Sequence, residues 1–144
     1  MTRVTSPPYD AEPTVRASLD SQSFLRLLGA TATVVEPGHV AIEVPWREDL
    51  CQQNGFLHAG VLTSVADSAC GYAALSLMPE GSDVLSVEFK VNLLAPGIGD
   101  LFRADARVVR SGRTLSVCQA EVVAVRDGHP DRPVALMQAT MIAR

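Results

Sequence analysis

The segment from Gln52 to Pro79 limits the possible folds of this chain more than any other part of its sequence. Its pattern is that of a loop leading into a long apolar helix, and after His58 it carries a single charged side chain, Asp67. A carboxylate buried without a partner costs several kcal/mol. The pattern therefore predicts a fold that surrounds this helix, in which Asp67 has either a polar partner or a chemical role.

Strand patterns occupy most of the remaining sequence. Two strands, TATVVE and HVAIEVPW, are predicted on either side of the turn Pro37-Gly38. Four more are predicted after the helix, near residues 83–94, 100–110, 114–125 and 133–143. Because short turns join the strands, the sheet is expected to be antiparallel. An apolar helix and such a sheet cover each other only if the sheet curls around the helix, which predicts an α+β fold.

The predicted strand 83–94 alternates regularly between apolar and more polar residues. Its odd-numbered residues from Leu85 to Leu93 are apolar, and Ser86 begins the polar series that alternates with them. This period of two predicts one apolar face and one polar face, with Ser86 on the polar face.

The N-terminal part has a different character. Residues 1–15 are rich in proline and lack an apolar period, so a flexible tail is predicted there. Phe24, Leu25 and Leu28 lie at helical spacing before Gly29, which predicts a short helix. Residues 16–144 are expected to form a single domain.

Charge and metal-ligand patterns exclude several classes of function. The formal net charge of -4 offers no basic field for nucleic acid. The three cysteines are widely spaced and the three histidines do not cluster with them, which argues against a disulfide framework and a zinc site. Asp67 and several serines make the longest apolar stretch a poor membrane span, and no N-terminal signal pattern is recognised. We expect a cytoplasmic protein without a metal.

A family resemblance is carried by residues 52–67. The sequence there is QQNGFLHAG, from Gln52 to Gly60, with Asp67 nine residues after His58. It resembles the signature of hotdog-fold acyl-CoA thioesterases of the phenylacetate-degradation (PaaI-like) type. In that signature a polar amide precedes G-x-x-H-G-G, and an acidic residue follows inside the central helix.

The resemblance implies the hotdog fold, a curled antiparallel sheet wrapped around one long central helix, over roughly residues 20–143. The segments LSVEFKVNLLAPG and VVRSGRTLSV resemble strand and turn segments of that family. The amide is Gln52 where this subgroup often has asparagine, and glutamine is typical of the related hydroxybenzoyl-CoA branch. Ala59 replaces the first glycine of H-G-G and retains the backbone N–H that the family uses.

Thioester hydrolysis needs donors for the developing oxyanion and a base or nucleophile near the carbonyl carbon. The first turn of a helix has unpaired N–H groups and the positive end of the helix dipole. Ala59 and Gly60 are expected at that turn as an oxyanion hole, and Asp67 is the candidate base or nucleophile. The alternative is a structural Asp67 bonded to neighbouring serines or to the backbone.

Three more side chains are candidates for the site. His58 is expected to orient the loop or the substrate carbonyl, or else to cap the helix. Gln52 is expected to hold the attacking water or the carbonyl, or else to be an exposed loop amide. Ser86 resembles a family position that helps to place the water, or else is an ordinary surface serine.

A turn between two predicted strands is the candidate site for the coenzyme A part of the substrate. The matching turn contacts coenzyme A in the family, and guanidinium groups suit phosphates. The alternative is a solvated hairpin in which arginine serves solubility. The residues are Arg110, Ser111, Gly112, Arg113 and Thr114.

Helix geometry predicts that the site is shared between subunits. Ala59 and Asp67 are eight residues apart, which is ~12 Å of rise along a helix. A carbonyl held at the Ala59 N–H is then out of reach of Asp67 on the same helix. If both residues act, they belong to different chains of a homodimer with two interface sites. The family has this arrangement and often pairs dimers into tetramers.

Two classes of function fit the sequence. The first is hydrolysis of a fatty or aromatic acyl-CoA to the free acid and CoA, with no cofactor beyond the coenzyme A of the substrate. The second is a non-catalytic acyl-CoA-binding module, a sensor or carrier. A dehydratase is a weaker third option, because the sequence around His58 is not the hydratase pattern. Asp67 favours the enzyme, because a binding module gains nothing from a carboxylate beside the carbonyl.

Overall fold

A computed structural model describes residues 9–144 as one helix-and-sheet unit. The elements follow in the order α1 (Glu12–Ser21), α2 (Ser23–Leu28), β1 (Thr31–Glu36), β2 (His39–Pro45), a 3-10 turn (Glu48–Leu50), α3 (Ala59–Leu75), β3 (Val84–Leu93), β4 (Leu101–Ser111), β5 (Leu115–Val125) and β6 (Arg132–Ala143). The predicted long helix and the six predicted strands are confirmed.

The strands form one antiparallel sheet in the order β1-β2-β4-β5-β6-β3. The helix α3 packs against β2 through β6, and most of its residues are buried. Small side chains such as Ala66, Ala69 and Ala73 let the sheet approach the helix closely. The predicted α+β arrangement, a curled sheet around one long helix, is confirmed. Within residues 9–144 no helix is long and apolar enough to cross a membrane.

The strand β3 departs from the predicted pattern. A bulge at Val87 shifts its register against β6, so that Ser86 pairs with Met141 while Phe89 pairs with Ala139. Both partners are fully buried against α3, and residues directly opposite each other share a face of the sheet. Ser86 and Phe89 therefore both face the helix side. The prediction of one unbroken alternation with Ser86 on a separate polar face is wrong, because a bulge inverts the alternation.

The N-terminal boundary of the folded part also differs from the prediction. The predicted tail spans residues 1–15, of which 1–8 lie outside the described residues. α1 already begins at Glu12, and Val15 is fully buried. The single predicted helix is two, separated at Gln22. The second helix ends at Gly29, as predicted, with the positive φ of 70° that glycine tolerates.

Candidate active site

Asp67 lies on α3, half-buried, where the helix passes the start of β3. The Ser86 hydroxyl donates a hydrogen bond of 2.7 Å to its Oδ1 atom. The bulge at Val87 makes this contact possible, because it leaves Ser86 on the helix side of the strand. Among residues 9–144 no hydrogen bond is made to Oδ2 of Asp67. One carboxylate oxygen is therefore held in place and the other is open to an incoming group.

A cleft of about 200 Å³ adjoins this carboxylate, and we refer to it as the Asp67 cleft. Its walls come from α3, the start of β3, β6 and the N-terminal helices. They are formed by Ser18, Gln22, Asp67, Ser68, Gly71, Tyr72, Asp83, Val84, Ser86 and Met141.

Sequence reasoning did not find most of the Asp67 cleft. Gly71 follows Asp67 by four residues and Tyr72 follows Ser68 by four, so helical spacing could have placed these two pairs next to each other on α3. Ser18 and Gln22 carry no such signal, because their place beside α3 is decided by tertiary packing.

The start of α3 is capped by His58. Its Nδ1 atom accepts a hydrogen bond of 2.8 Å from the Gly60 N–H. Nδ1 is thus an acceptor, which places the ring proton of the neutral form on Nε2. A Cβ atom at Gly60 would lie 2.9 Å from Nδ1, so this cap needs glycine. Of the two N–H groups predicted for an oxyanion hole, the Gly60 group is therefore already engaged.

The Ala59 N–H is the other group predicted for the oxyanion hole. Among residues 9–144 no hydrogen bond engages it, and it points from the positive end of the helix. Positive φ angles in the described part of the chain occur only at glycines, so alanine at position 59 is not strained.

Gln52 lies beside Ala59. Its Oε1 atom accepts a hydrogen bond from the Asn54 N–H, and its backbone carbonyl accepts one of 3.0 Å from the Gly55 N–H. The hydrogen bond to Oε1 orients the side-chain amide so that its NH₂ group stays available as a donor. Both Gln52 and Ala59 line a second, more apolar pocket of about 410 Å³, the helix-start pocket. Its other residues are Phe56, Leu57, Leu62, Leu93, Leu94, Ala95, Pro96 and Gly97.

The predicted site residues thus fall into two separate groups within one chain. Asp67 and Ser86 line the Asp67 cleft, whereas Gln52 and Ala59 line the helix-start pocket, and the two share no lining residue. The ~12 Å of helix rise between Ala59 and Asp67 explains the separation. A single chain does not bring the donors and the carboxylate to one substrate atom.

The predicted coenzyme A turn is the hairpin between β4 and β5. Arg110, Ser111, Gly112, Arg113 and Thr114 are all exposed, and none of them lines either pocket. The Gly112 N–H donates a hydrogen bond of 2.8 Å to the Leu115 carbonyl oxygen. A Cβ atom at position 112 would lie 2.6 Å from that oxygen. Neither arginine has a carboxylate partner within residues 9–144.

The two buried thiols near Asp67, Cys70 and Cys118, are not nucleophiles. Burial raises the pKa of the Cys70 thiol, and the nearby Cys118 thiol and Asp67 carboxylate raise it further. Burial likewise raises the pKa of Cys118 to about 12. Both remain protonated at neutral pH, and only a thiolate attacks efficiently. Across residues 9–144 no three His, Cys, Asp or Glu side chains gather as metal ligands would.

Comparison with known proteins supplies an independent finding. A family model described as the thioesterase superfamily matches residues 54–129. A thioesterase family protein from Silicibacter pomeroyi has a crystal structure with a TM-score of 0.89 and 48% identity, covering 92% of this chain and 96% of that one. The Escherichia coli PaaI protein of the phenylacetic acid degradation operon has a TM-score of 0.82 and 21% identity, covering 94% of each chain. A 1,4-dihydroxy-2-naphthoyl-CoA hydrolase from Listeria monocytogenes is 25% identical over 95 residues, which are 66% of this chain and 77% of that protein.

Proposed function

This chain belongs to the thioesterase superfamily and is a thioester hydrolase, and we propose that it converts an acyl-CoA to the free acid and CoA at sites shared by two subunits. The observation that carries the proposal is the Asp67 carboxylate, with Oδ1 fixed by Ser86 and Oδ2 open. A carboxylate oriented in this way beside a cleft is suited to act as a base or nucleophile.

In this reaction the two groups of residues have different roles. The Ala59 N–H of one subunit, aided by the NH₂ group of Gln52, stabilises negative charge on the thioester oxygen. Asp67 of the other subunit either takes a proton from the attacking water or attacks the carbonyl carbon itself. The C–S bond then breaks, CoA leaves as the thiolate, and water supplies the hydroxyl of the free acid. Ser86 keeps the carboxylate in position.

The free edge of β3 supports the shared site. β3 is an edge strand, and Leu85, Val87, Phe89 and Leu93 on it are all exposed in one chain. An unpaired apolar edge is a template for pairing with another strand. We infer that β3 pairs antiparallel with β3 of a second copy, so that one sheet runs through the dimer.

The same pairing would join the two pockets. β3 contributes Val84 and Ser86 to the Asp67 cleft at its start and Leu93 to the helix-start pocket at its end. Antiparallel pairing of identical strands sets the start of one against the end of the other. The cleft of each subunit then faces the helix-start pocket of its partner, which gives two complete sites in a dimer. Pairing of two dimers remains a further proposal.

Release of free thiol from acyl-CoA by the purified protein tests this function. Turnover that exceeds the rate of spontaneous hydrolysis supports the enzyme. Saturable binding of acyl-CoA without thiol release would instead identify a binding module.

The hairpin arginines are expected to bind the phosphates of coenzyme A. Arg113→Ala should raise KM for acyl-CoA about fivefold or more at low salt, because charge-assisted contacts to phosphate are lost. The difference from wild type should shrink as salt is added, since salt screens exposed charges. Steady-state kinetics at two ionic strengths measure both effects.

Arg126→Ala is the matched control for this experiment. Arg126 is also exposed and lacks an ion-pair partner in the described chain, but it lies in the loop between β5 and β6. Its substitution removes the same charge and should leave KM unchanged. An unchanged KM for Arg113→Ala at low salt would mean that the hairpin is a solvated turn.

A further inference from the structure

The Asp67 cleft ends in a polar network. Tyr72, which is almost fully buried, accepts a hydrogen bond of 3.1 Å from Nε2 of Gln22. Its hydroxyl also lies 3.3 Å from the hydroxyl of Ser18. Ser18 lies on α1 and Gln22 joins α1 to α2, whereas Tyr72 comes from α3. All three residues line the cleft.

This network has unused hydrogen-bonding capacity. Because Gln22 is the donor to Tyr72, the tyrosine proton is free to be donated in turn. Within residues 9–144 the Oε1 atom of Gln22 has no hydrogen-bond partner, and the Ser18 hydroxyl has only Tyr72. The end of the cleft therefore offers both donors and acceptors to an occupant.

The charges in the cleft are all negative. Asp67 and Asp83 line it, and no lysine, arginine or histidine is among its lining residues. Asp83 accepts a hydrogen bond of 2.9 Å from the Val84 N–H. This donor is uncharged, so it does not neutralise the carboxylate. Like charges repel strongly in a partly desolvated site. An acyl group that ends in a carboxylate is therefore disfavoured.

The dimensions suit a short acyl group. About 200 Å³ is somewhat more than the ~150 Å³ of an apolar cavity that binds benzene. Tyr72 follows Asp67 by five residues, or ~7.5 Å of helix rise, which is comparable to an extended six-carbon chain. Gly71 also lines this space. A Cβ atom at position 71 would have only Val84 within 4 Å, at 3.9 Å, so a larger residue there would fill part of the cleft.

We propose that the Asp67 cleft is the acyl subsite and that Ser18, Gln22 and Tyr72 select a short acyl group with an uncharged hydrogen-bonding substituent, such as a hydroxyl, at its far end. A plain hydrocarbon end would cover these polar groups without bonding them, and such mismatches reduce binding strongly. The inference rests on the proposed thioesterase function. Ser18 and Gln22 lie outside the matched residues 54–129, whereas Tyr72 lies within them.

Three CoA thioesters with six-carbon acyl groups test the proposal. They are hexanoyl-CoA, 6-hydroxyhexanoyl-CoA and the mono-CoA thioester of adipic acid. We expect kcat/KM for the hydroxy compound to exceed that for hexanoyl-CoA about tenfold, and the carboxylate compound to be the poorest of the three. A preference for hexanoyl-CoA or for the adipic thioester, or equal values for all three, would overturn the proposal.

Variants locate the origin of the preference. Tyr72→Phe should bring the ratio of kcat/KM between the hydroxy and plain substrates close to one. Gln22→Leu should lower the same ratio, and this variant tests the assignment if Tyr72→Phe does not fold. Gly71→Ala should reduce kcat/KM for six-carbon acyl groups relative to acetyl-CoA, with an unchanged or higher melting temperature, because alanine favours the helix. A retained preference in folded Tyr72→Phe and Gln22→Leu would contradict the assignment.

Binding separates this inference from the proposed function. The thioethers S-hexyl-CoA and S-(6-hydroxyhexyl)-CoA cannot be hydrolysed, and calorimetry measures their Kd values. If no thioester is turned over, the proposed function fails, yet tighter binding of the hydroxylated thioether would still support the subsite. Equal Kd values for the two thioethers would overturn the subsite even in an active thioesterase.

Discussion

Replacement of Asp67 by asparagine is expected to lower the turnover of acyl-CoA about 100-fold or more. Asparagine has nearly the same shape, and its Oδ1 atom can still accept the Ser86 hydrogen bond. It cannot act as a base or a nucleophile at the position of Oδ2. The expected loss is therefore in kcat, whereas the melting temperature should stay close to that of wild type.

Asp20→Asn controls for the loss of one negative charge. Asp20 is exposed on α1 and lines neither pocket, so this variant should retain wild-type turnover. Steady-state kinetics and thermal unfolding of both variants give the comparison. Near-normal turnover of Asp67→Asn would make Asp67 a structural residue and remove the basis of the proposed mechanism.

Disruption of the free β3 edge should abolish activity by separating the subunits. In Phe89→Glu, like charges from two copies would meet in the interface that we infer, which disfavours pairing. We expect a monomer by light scattering and a loss of turnover of about 100-fold or more, because a monomer contains no complete site. The chain should remain folded, since Phe89 is 44% exposed in one copy.

Leu136→Glu is the matched control for the edge variant. Leu136 is 43% exposed on β6, on the same sheet but not on its free edge. Glutamate there should leave both the dimer and its activity in place. A dimeric and active Phe89→Glu protein would place the subunit interface elsewhere.

The strands and the long helix could be predicted because their burial follows simple periods. Strand patterns on either side of a turn marked β1 and β2, and the apolar run with its lone charge marked α3. The motif at Gln52, His58 and Asp67 carried the family resemblance that the comparisons support. These features depend on short stretches of neighbouring residues, so a single sequence contains enough information to find them.

The remaining features depend on contacts between distant segments. The bulge at Val87 inverts the alternation of β3 and turns Ser86 toward Asp67. The sequence of the strand contains no signal for this bulge. Ser18 and Gln22 reach the Asp67 cleft through the docking of α1 and α2 on α3. Tertiary packing decides each of these.

The shared site can be tested with chains that are defective at one position each. Ala59→Pro removes the backbone N–H, and proline is tolerated at the first position of a helix. The preceding residue, His58, already has the extended backbone that proline requires, with φ -60° and ψ 136°. Ala59→Pro and Asp67→Asn homodimers should both be nearly inactive.

The most direct measurement is the turnover of two purified heterodimers whose chains carry different affinity tags. Ala59→Pro paired with Asp67→Asn should recover about half of wild-type turnover, because one of its two sites has both intact residues. Wild type paired with a chain that carries both substitutions should be nearly inactive, because each of its sites then has one defect. If Ala59 and Asp67 act within one chain, the results are reversed, with the first heterodimer inactive and the second at about half of wild-type turnover.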